Sequence, residues 1–123
     1  MSTHVNDLAS AVKVSTALAP VVRTTAVNGS AVDLISADGA CFAIQQVGAL
    51  SGATWSGSIQ ESDNGTSWSG IDGAEFTPVD AANDTQTISF RRTKRYVRYA
   101  GAVDGGTPSV AVSALIGEQW KTF

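Results

Sequence analysis

The sequence predicts an all-β chain of antiparallel strands, arranged as a sandwich or barrel. Composition is the first reason. Ala, Ser, Thr, Val and Gly dominate, and charged residues make up only 15% of 123, a small and β-branched mix that suits pleated, half-buried surfaces better than helix packing. The second reason is rhythm: alternating apolar and polar runs are closed by turn residues at roughly 8–12-residue intervals, as in sandwiches and barrels. The third is that no helical stretch long enough for a parallel crossover separates one run from the next. By its length the chain is one domain, burying roughly two-thirds of its extended surface on folding, enough for a core without staples.

In chain order, the opening residues differ from the rest. His4 to Ala17 is polar at first, Leu8, Ala11, Val12 and Ser15 give only a weak helical stripe, and Pro20 stops any helix ahead of it. Residues 1–20 are expected to form an arm, ordered by a partner or by packing on the sandwich at 21–117; residues 118–123 form a tail. Strands begin at Val21. VVRTTAV (21–27) is closed by Asn28-Gly29, the strongest short hairpin signal. A second run covers 31–35, and Ala37-Asp38-Gly39 turns the chain into 40–47, where Cys41, Ala43 and Gln45 alternate with Phe42, Ile44 and Gln46. Trp55, Gly57 and Ile59 share a face of the next strand. Trp68 to Ile71 returns, Ala74 to Val79 is short with Pro78 marking an edge, and 85–90 alternates Gln86, Ile88 and Phe90 against Thr85, Thr87 and Ser89. Residues 95–100 and 109–116, joined through Asp104-Gly105-Gly106, read as a closing hairpin, with Val110, Val112, Ala114 and Ile116 on one face.

The stretch SIQESDNGTSWSGI (58–71) tests for chemistry. A calcium loop needs several oxygen ligands at set spacing and a closing bidentate carboxylate; no Glu stands in the closing position, and Asn64-Gly65 is the dipeptide of a hairpin turn. Cys41, the single cysteine, lies in the apolar run ACFAI and reads as a buried small hydrophobe, so no disulfide or multi-cysteine metal site forms within the chain. His4 is the single histidine and sits in the arm, with nothing to hold it beside a Ser or Cys. The Asp residues fall in turns, where backbone hydrogen bonding is their usual role. GAVDGG lacks the Lys-Ser/Thr of a phosphate loop. These residues predict no enzyme, no cofactor and no metal. A net charge of −3 argues against a general nucleic-acid binder, and neither a signal peptide nor an apolar run of membrane-spanning length is read.

Charge is the sharp asymmetry. Arg91, Arg92, Lys94, Arg95 and Arg98 hold five of the eight basic residues, whereas Glu61 to Asp84 holds six acids and no base. In a strand, Arg92 and Lys94 would share one face and Arg91 and Arg95 the other. Three readings stand side by side: a solvated edge that deters sheet-to-sheet aggregation, a basic edge that meets an acidic surface on a neighbouring subunit and sets its orientation, and a nucleic-acid strip in which Tyr96 and Tyr99 interleave with the arginines.

LAPVVRTTAVNGSAVDL near the start, the IQESDNGTSW hairpin and RRTKRYVRYAGAVDGGTPSVAVSALIG at the end together resemble a family of small virion proteins of tailed phages and prophages, over Val14 to Gly117. The QESDNGTSW and RYVR pair is also similar to discoidin-like carbohydrate-binding sandwiches, which are longer and secreted. The phage resemblance implies a β-sandwich of jelly-roll type with an extended N-terminal arm, and a structural role with no catalytic residues. That role is a head decoration (cement) protein on the outer surface of the capsid, a homotrimer made in the bacterial cytoplasm and bound to the major capsid protein. Expected partner-binding residues are Val12, Val14 and Leu18 in the arm, Arg91, Arg92, Lys94 and Arg95 on the basic edge, and Trp120 and Phe123 in the tail. A head-fibre or minor tail protein is the first alternative. A carbohydrate-binding module with Trp55, Trp68 or Tyr99 as its stacking platform is the second.

Overall fold

The computed structural model describes residues 12–34 and 37–120, the backbone alone at 37–39 and 120. Nine strands account for most of them: β1 (Val12–Arg23), β2 (Val27–Asn28), β3 (Val32–Asp33), β4 (Ala37–Ser51), β5 (Thr54–Ser62), β6 (Ser69–Glu75), β7 (Asp84–Arg91), β8 (Tyr96–Asp104) and β9 (Ser109–Trp120). All their pairings are antiparallel. They form two sheets, one in the order β1-β9-β4-β7 and one in the order β2-β8-β5-β6, with β3 also paired to β8.

Alternation sets which side of each strand is buried, because successive side chains leave a strand on opposite faces. On β4, Cys41, Ala43, Gln45 and Val47 are buried while Phe42, Ile44 and Gln46 face outward, and on β9 Val110, Val112, Ala114 and Ile116 are all within 2% of complete burial. Trp55 and Ile59 on β5 and Val97 and Tyr99 on β8 supply the opposing layer, and one hydrophobic cluster joins the two sheets. Burying each such aliphatic or aromatic side chain stabilises the fold by roughly 1.5–3 kcal/mol before the entropy cost. A polar seam crosses that core. The Trp55 indole donates to the Tyr99 hydroxyl at 2.7 Å, and Tyr99 in turn donates to Gln45 Oε1 on the facing sheet. Space for the seam comes from Gly57 and Gly101: a Cβ at the first would strike the Gln45 and Tyr99 side chains, and at the second the Trp55 ring.

Several expectations change at the level of elements. Residues 12–20, assigned to an arm, are the first part of β1 and pair along β9 from Val12↔Gln119; Ala17 and Leu18 supply the apolar contact that holds them. The boundary drawn at 118 likewise falls inside β9. Arm residues 1–11 and tail residues 121–123 lie outside the described residues. Asn28-Gly29 makes no hairpin. β2 and β3 run on along the same partner strand, Val27 opposite Gly101 and Val32 opposite Val97, while Gly29 passes so close to the Ala17 carbonyl that a Cβ there would collide with it. Residues 37–39 open β4 instead of forming a turn. Residues 95–100 and 109–116 are no hairpin either, since β8 and β9 belong to different sheets. The hairpin expected at Asn64-Gly65 does join paired neighbours, β5 and β6. Gly65 adopts φ 78°, and Ser62 Oγ and Asn64 Oδ1 accept the loop's backbone N–H groups.

Candidate interaction surface

One pole of the sandwich gathers the charged loops. Val12 enters there opposite Gln119, and Arg91 ends β7 opposite Ala40. The β7–β8 loop binds both the β5 end, through Glu61, and the segment after β3, through Leu34. Residues 92–95 form a bend, not a strand, so the expected sharing of faces by Arg92 with Lys94 and Arg91 with Arg95 does not arise. Glu61, only 8% exposed, accepts hydrogen bonds from the Thr93 backbone N–H at 2.8 Å, the Thr93 hydroxyl at 2.9 Å and the Lys94 backbone N–H at 3.2 Å. The carboxylate thereby clasps the basic loop to the second sheet.

Most of the basic side chains serve the fold. Arg92 donates to the Lys94 and Leu34 carbonyls. Arg95 grips Asp33 through two bonds of 2.9 and 2.7 Å and lies over the Tyr96 ring. Arg98 stacks 4.5 Å from the Trp68 ring centroid and donates to Gln60 at 2.7 Å. Arg91 is exposed, and Lys94 makes one long side-chain bond, 3.4 Å, to Ser69. Of the other expected partner-binding residues, Val12 is half-buried and Val14 is 49% exposed. Leu18, at 3% exposure, belongs to the chain's own core, which removes it from any outward contact. Trp120 is placed by its backbone alone as the last residue of β9, and Phe123 lies outside the described residues.

The outer face of the first sheet was not expected as a surface, although Val14 and Arg91 among the expected partner-binding residues lie on it. Its register stacks residues into rungs, two across all four strands (Val14, Gly117, Phe42 and Ser89; Thr16, Leu115, Ile44 and Thr87) and one across three (Ser113, Gln46 and Thr85). None of these side chains is charged, but the next pair along the same face, Ala40 with Arg91, brings an exposed cation to its end. Val14, Val21 and Val22, the exposed large hydrophobics among the described residues, all lie on β1 at its margin. The signal was present in sequence, since β4 and β9 carry Phe42, Ile44 and Leu115 on the side opposite their buried residues. Alternation alone does not say that both sides are apolar for a reason.

No protein-family model and no curated protein matches the chain. The site is therefore weighed on its geometry. Trp55 and Tyr99 are fully buried and offer no stacking platform, and Arg98 covers one face of Trp68. On the outer side of the second sheet a shallow groove of about 560 Å³ is floored by Ser56, Ser58, Ala100 and Ala102. Burial pushes the Cys41 thiol up to about 11, and burial also raises Glu118, against the lowering effect of Lys13 and Arg92. Among the described residues no three His, Cys, Asp or Glu side chains converge to hold a metal, and no helix is long and apolar enough to cross a membrane.

Proposed function

We propose that the chain is a non-enzymatic structural protein of a tailed-phage virion, a decoration or cement protein that binds the outer surface of the major capsid protein as a trimer and stabilises the head. The observation that carries this reading is the charged pole. β1 begins there at Val12, beside exposed Arg91 and half-buried Lys94. A small cationic surface at one pole suits attachment to an acidic shell, with the charge setting orientation more than affinity. Occupancy then grows by multivalency, because each contact made raises the effective concentration of the next.

The strand order supports a jelly-roll reading of the sandwich. With β2 and β3 taken as one interrupted strand, eight strands fall into two four-stranded sheets whose neighbours, the β5–β6 hairpin apart, are far apart in sequence, as two interleaved Greek keys require. The test is reconstitution: purified protein added to heads that lack it, imaged by electron microscopy. Density on the outer shell at regular positions is the expected result. Density confined to the tail, or none, would overturn the head assignment.

A further inference from the structure

We propose that Asn64-Gly65, in the loop between β5 and β6, is a self-modifying site. The folded loop converts Asn64 into aspartate and isoaspartate through a cyclic imide, with release of ammonia. This does not depend on the virion reading.

The dipeptide has the right composition. The reaction needs the backbone nitrogen after an asparagine to reach that asparagine's own amide carbon, and a glycine there puts no Cβ in the way. The chain has two such dipeptides, Asn28-Gly29 and Asn64-Gly65, and the fold treats them oppositely. Gly29 donates its N–H to the Tyr99 carbonyl at 2.7 Å, at the end of the β2–β8 pairing, and a Cβ on it would strike the Ala17 carbonyl. Its nitrogen is held by the ladder, and a ring has no room to close. Asn64 is exposed, and a Cβ on Gly65 would meet nothing within 4 Å. That space admits both the ring and the extra backbone methylene of isoaspartate.

The groups around Asn64 match the charge changes of the reaction. Its Oδ1 accepts the Thr66 and Ser67 N–H groups at 2.9 and 3.0 Å, and two backbone donors on one atom identify that atom as the oxygen of the amide. They point where negative charge collects once the amide carbon is attacked. Ser62 Oγ joins the two ends of the reaction. It accepts from the Gly65 N–H at 2.9 Å and donates to Asn64 Oδ1 at 3.0 Å, so one hydroxyl links the proton that must leave to the oxygen that must receive one.

The steps balance. The Gly65 nitrogen lone pair forms a bond to Asn64 Cγ, and the carbonyl π pair moves onto Oδ1. The Gly65 proton passes to Ser62 Oγ while the Ser62 hydroxyl proton passes to Oδ1, leaving a neutral tetrahedral carbon. That carbon's hydroxyl proton moves to Nδ2, the C–Nδ2 bond breaks, ammonia departs and the imide closes. Water then opens either imide carbonyl, giving aspartate from one and isoaspartate from the other. Each conversion adds one negative charge beside Asp63, so the acidic stretch 61–84 gains charge with age.

The test is incubation of the full folded chain at neutral pH, followed by peptide mapping, an ammonia assay and an isoaspartate-specific methyl-transfer assay. The peptide holding Asn64 should gain the amide-to-acid mass difference while the peptide holding Asn28 stays unchanged. In urea both should convert at similar rates. Ser62→Ala, with its fold checked by circular dichroism, should slow conversion at Asn64 by roughly tenfold or more. A Ser62 that only braced the loop would give the opposite sign, because its removal would loosen the loop and quicken the reaction. The comparison of Asn64 with Asn28 needs no variant, and so stands even where Ser62→Ala fails to fold. An Asn64 that keeps its amide in the folded chain, equal conversion of Asn28 there, a lag of Asn28 that persists in urea, or a folded Ser62→Ala chain reacting as fast as wild type would each overturn the proposal.

Discussion

Glu118 and Cys41 face each other across β9 and β4, and both are held away from water. Glu118 is 2% exposed; one oxygen lies 3.9 Å from Lys13 Nζ, and Oε2 has no hydrogen-bond partner among the described residues. A distant, half-exposed ammonium does not compensate the lost hydration, so burial raises the pKa. The sign follows from linkage: a carboxyl whose folded pKa exceeds its unfolded value binds more protons when folded. Its contribution is therefore fully present below the ordinary value near 4.5 and is lost as pH rises through the folded value. Urea midpoints measured at stepped pH should fall across that window, and Glu118→Gln should flatten the fall; an unchanged slope would mean that Glu118 is solvated. For Cys41, the rise from 9.0 to about 11 lowers the thiolate fraction about a hundredfold at neutral pH. Iodoacetamide should label the native protein at least that much more slowly than the urea-unfolded chain. Equal rates would show the thiol to be reachable and ionisable.

Strands were legible in this sequence and their connections were not. Alternation at 41–47, 85–90 and 109–116 reports a buried face directly, because the side-chain period of a strand is two, and those runs lie within β4, β7 and β9. A turn residue reports only that the chain bends. It does not say whether the next strand pairs beside the last or crosses to the other layer, and of the bends read as hairpins the one between β5 and β6 alone joins neighbours. β1 was missed as a strand ahead of Pro20 because its support comes from β9, nearly a hundred residues away. A shorter separation was enough to hide the Glu61 clasp, whose acceptor and donors are 32 and 33 positions apart. Glu61→Ala would leave the Thr93 and Lys94 N–H groups without their acceptor, a cost of about 1–3 kcal/mol for groups that stay buried. Thermal melts should show the loss, and amide exchange should quicken at Thr93 and Lys94 ahead of the strand amides. Slow exchange there would show that the loop holds itself.

At the scale of the whole molecule, eight basic and eleven acidic residues divide into those that build the pole and those left over. The five bases between 91 and 98 were visible as a cluster, but their partners were not: Asp33, the Leu34 carbonyl and Gln60 come from segments 38 to 62 positions away. That division changes what mutation of the cluster should do. Arg92 spans the pole by bonding two backbone carbonyls, so Arg92→Ser removes a bridge and should lower the melting temperature. Arg91, which is exposed, and Lys94, which is half-buried with one long side-chain bond to Ser69, contribute little to folding, since charges at the surface are worth at most about 1 kcal/mol. The double variant Arg91→Ser with Lys94→Ser should melt like wild type yet occupy heads less fully, and its occupancy should vary less across a salt series, because screening acts on the long-range attraction that these two side chains supply. Occupancy equal to wild type at every salt concentration would mean that the cationic pole is solvated surface and takes no part in attachment.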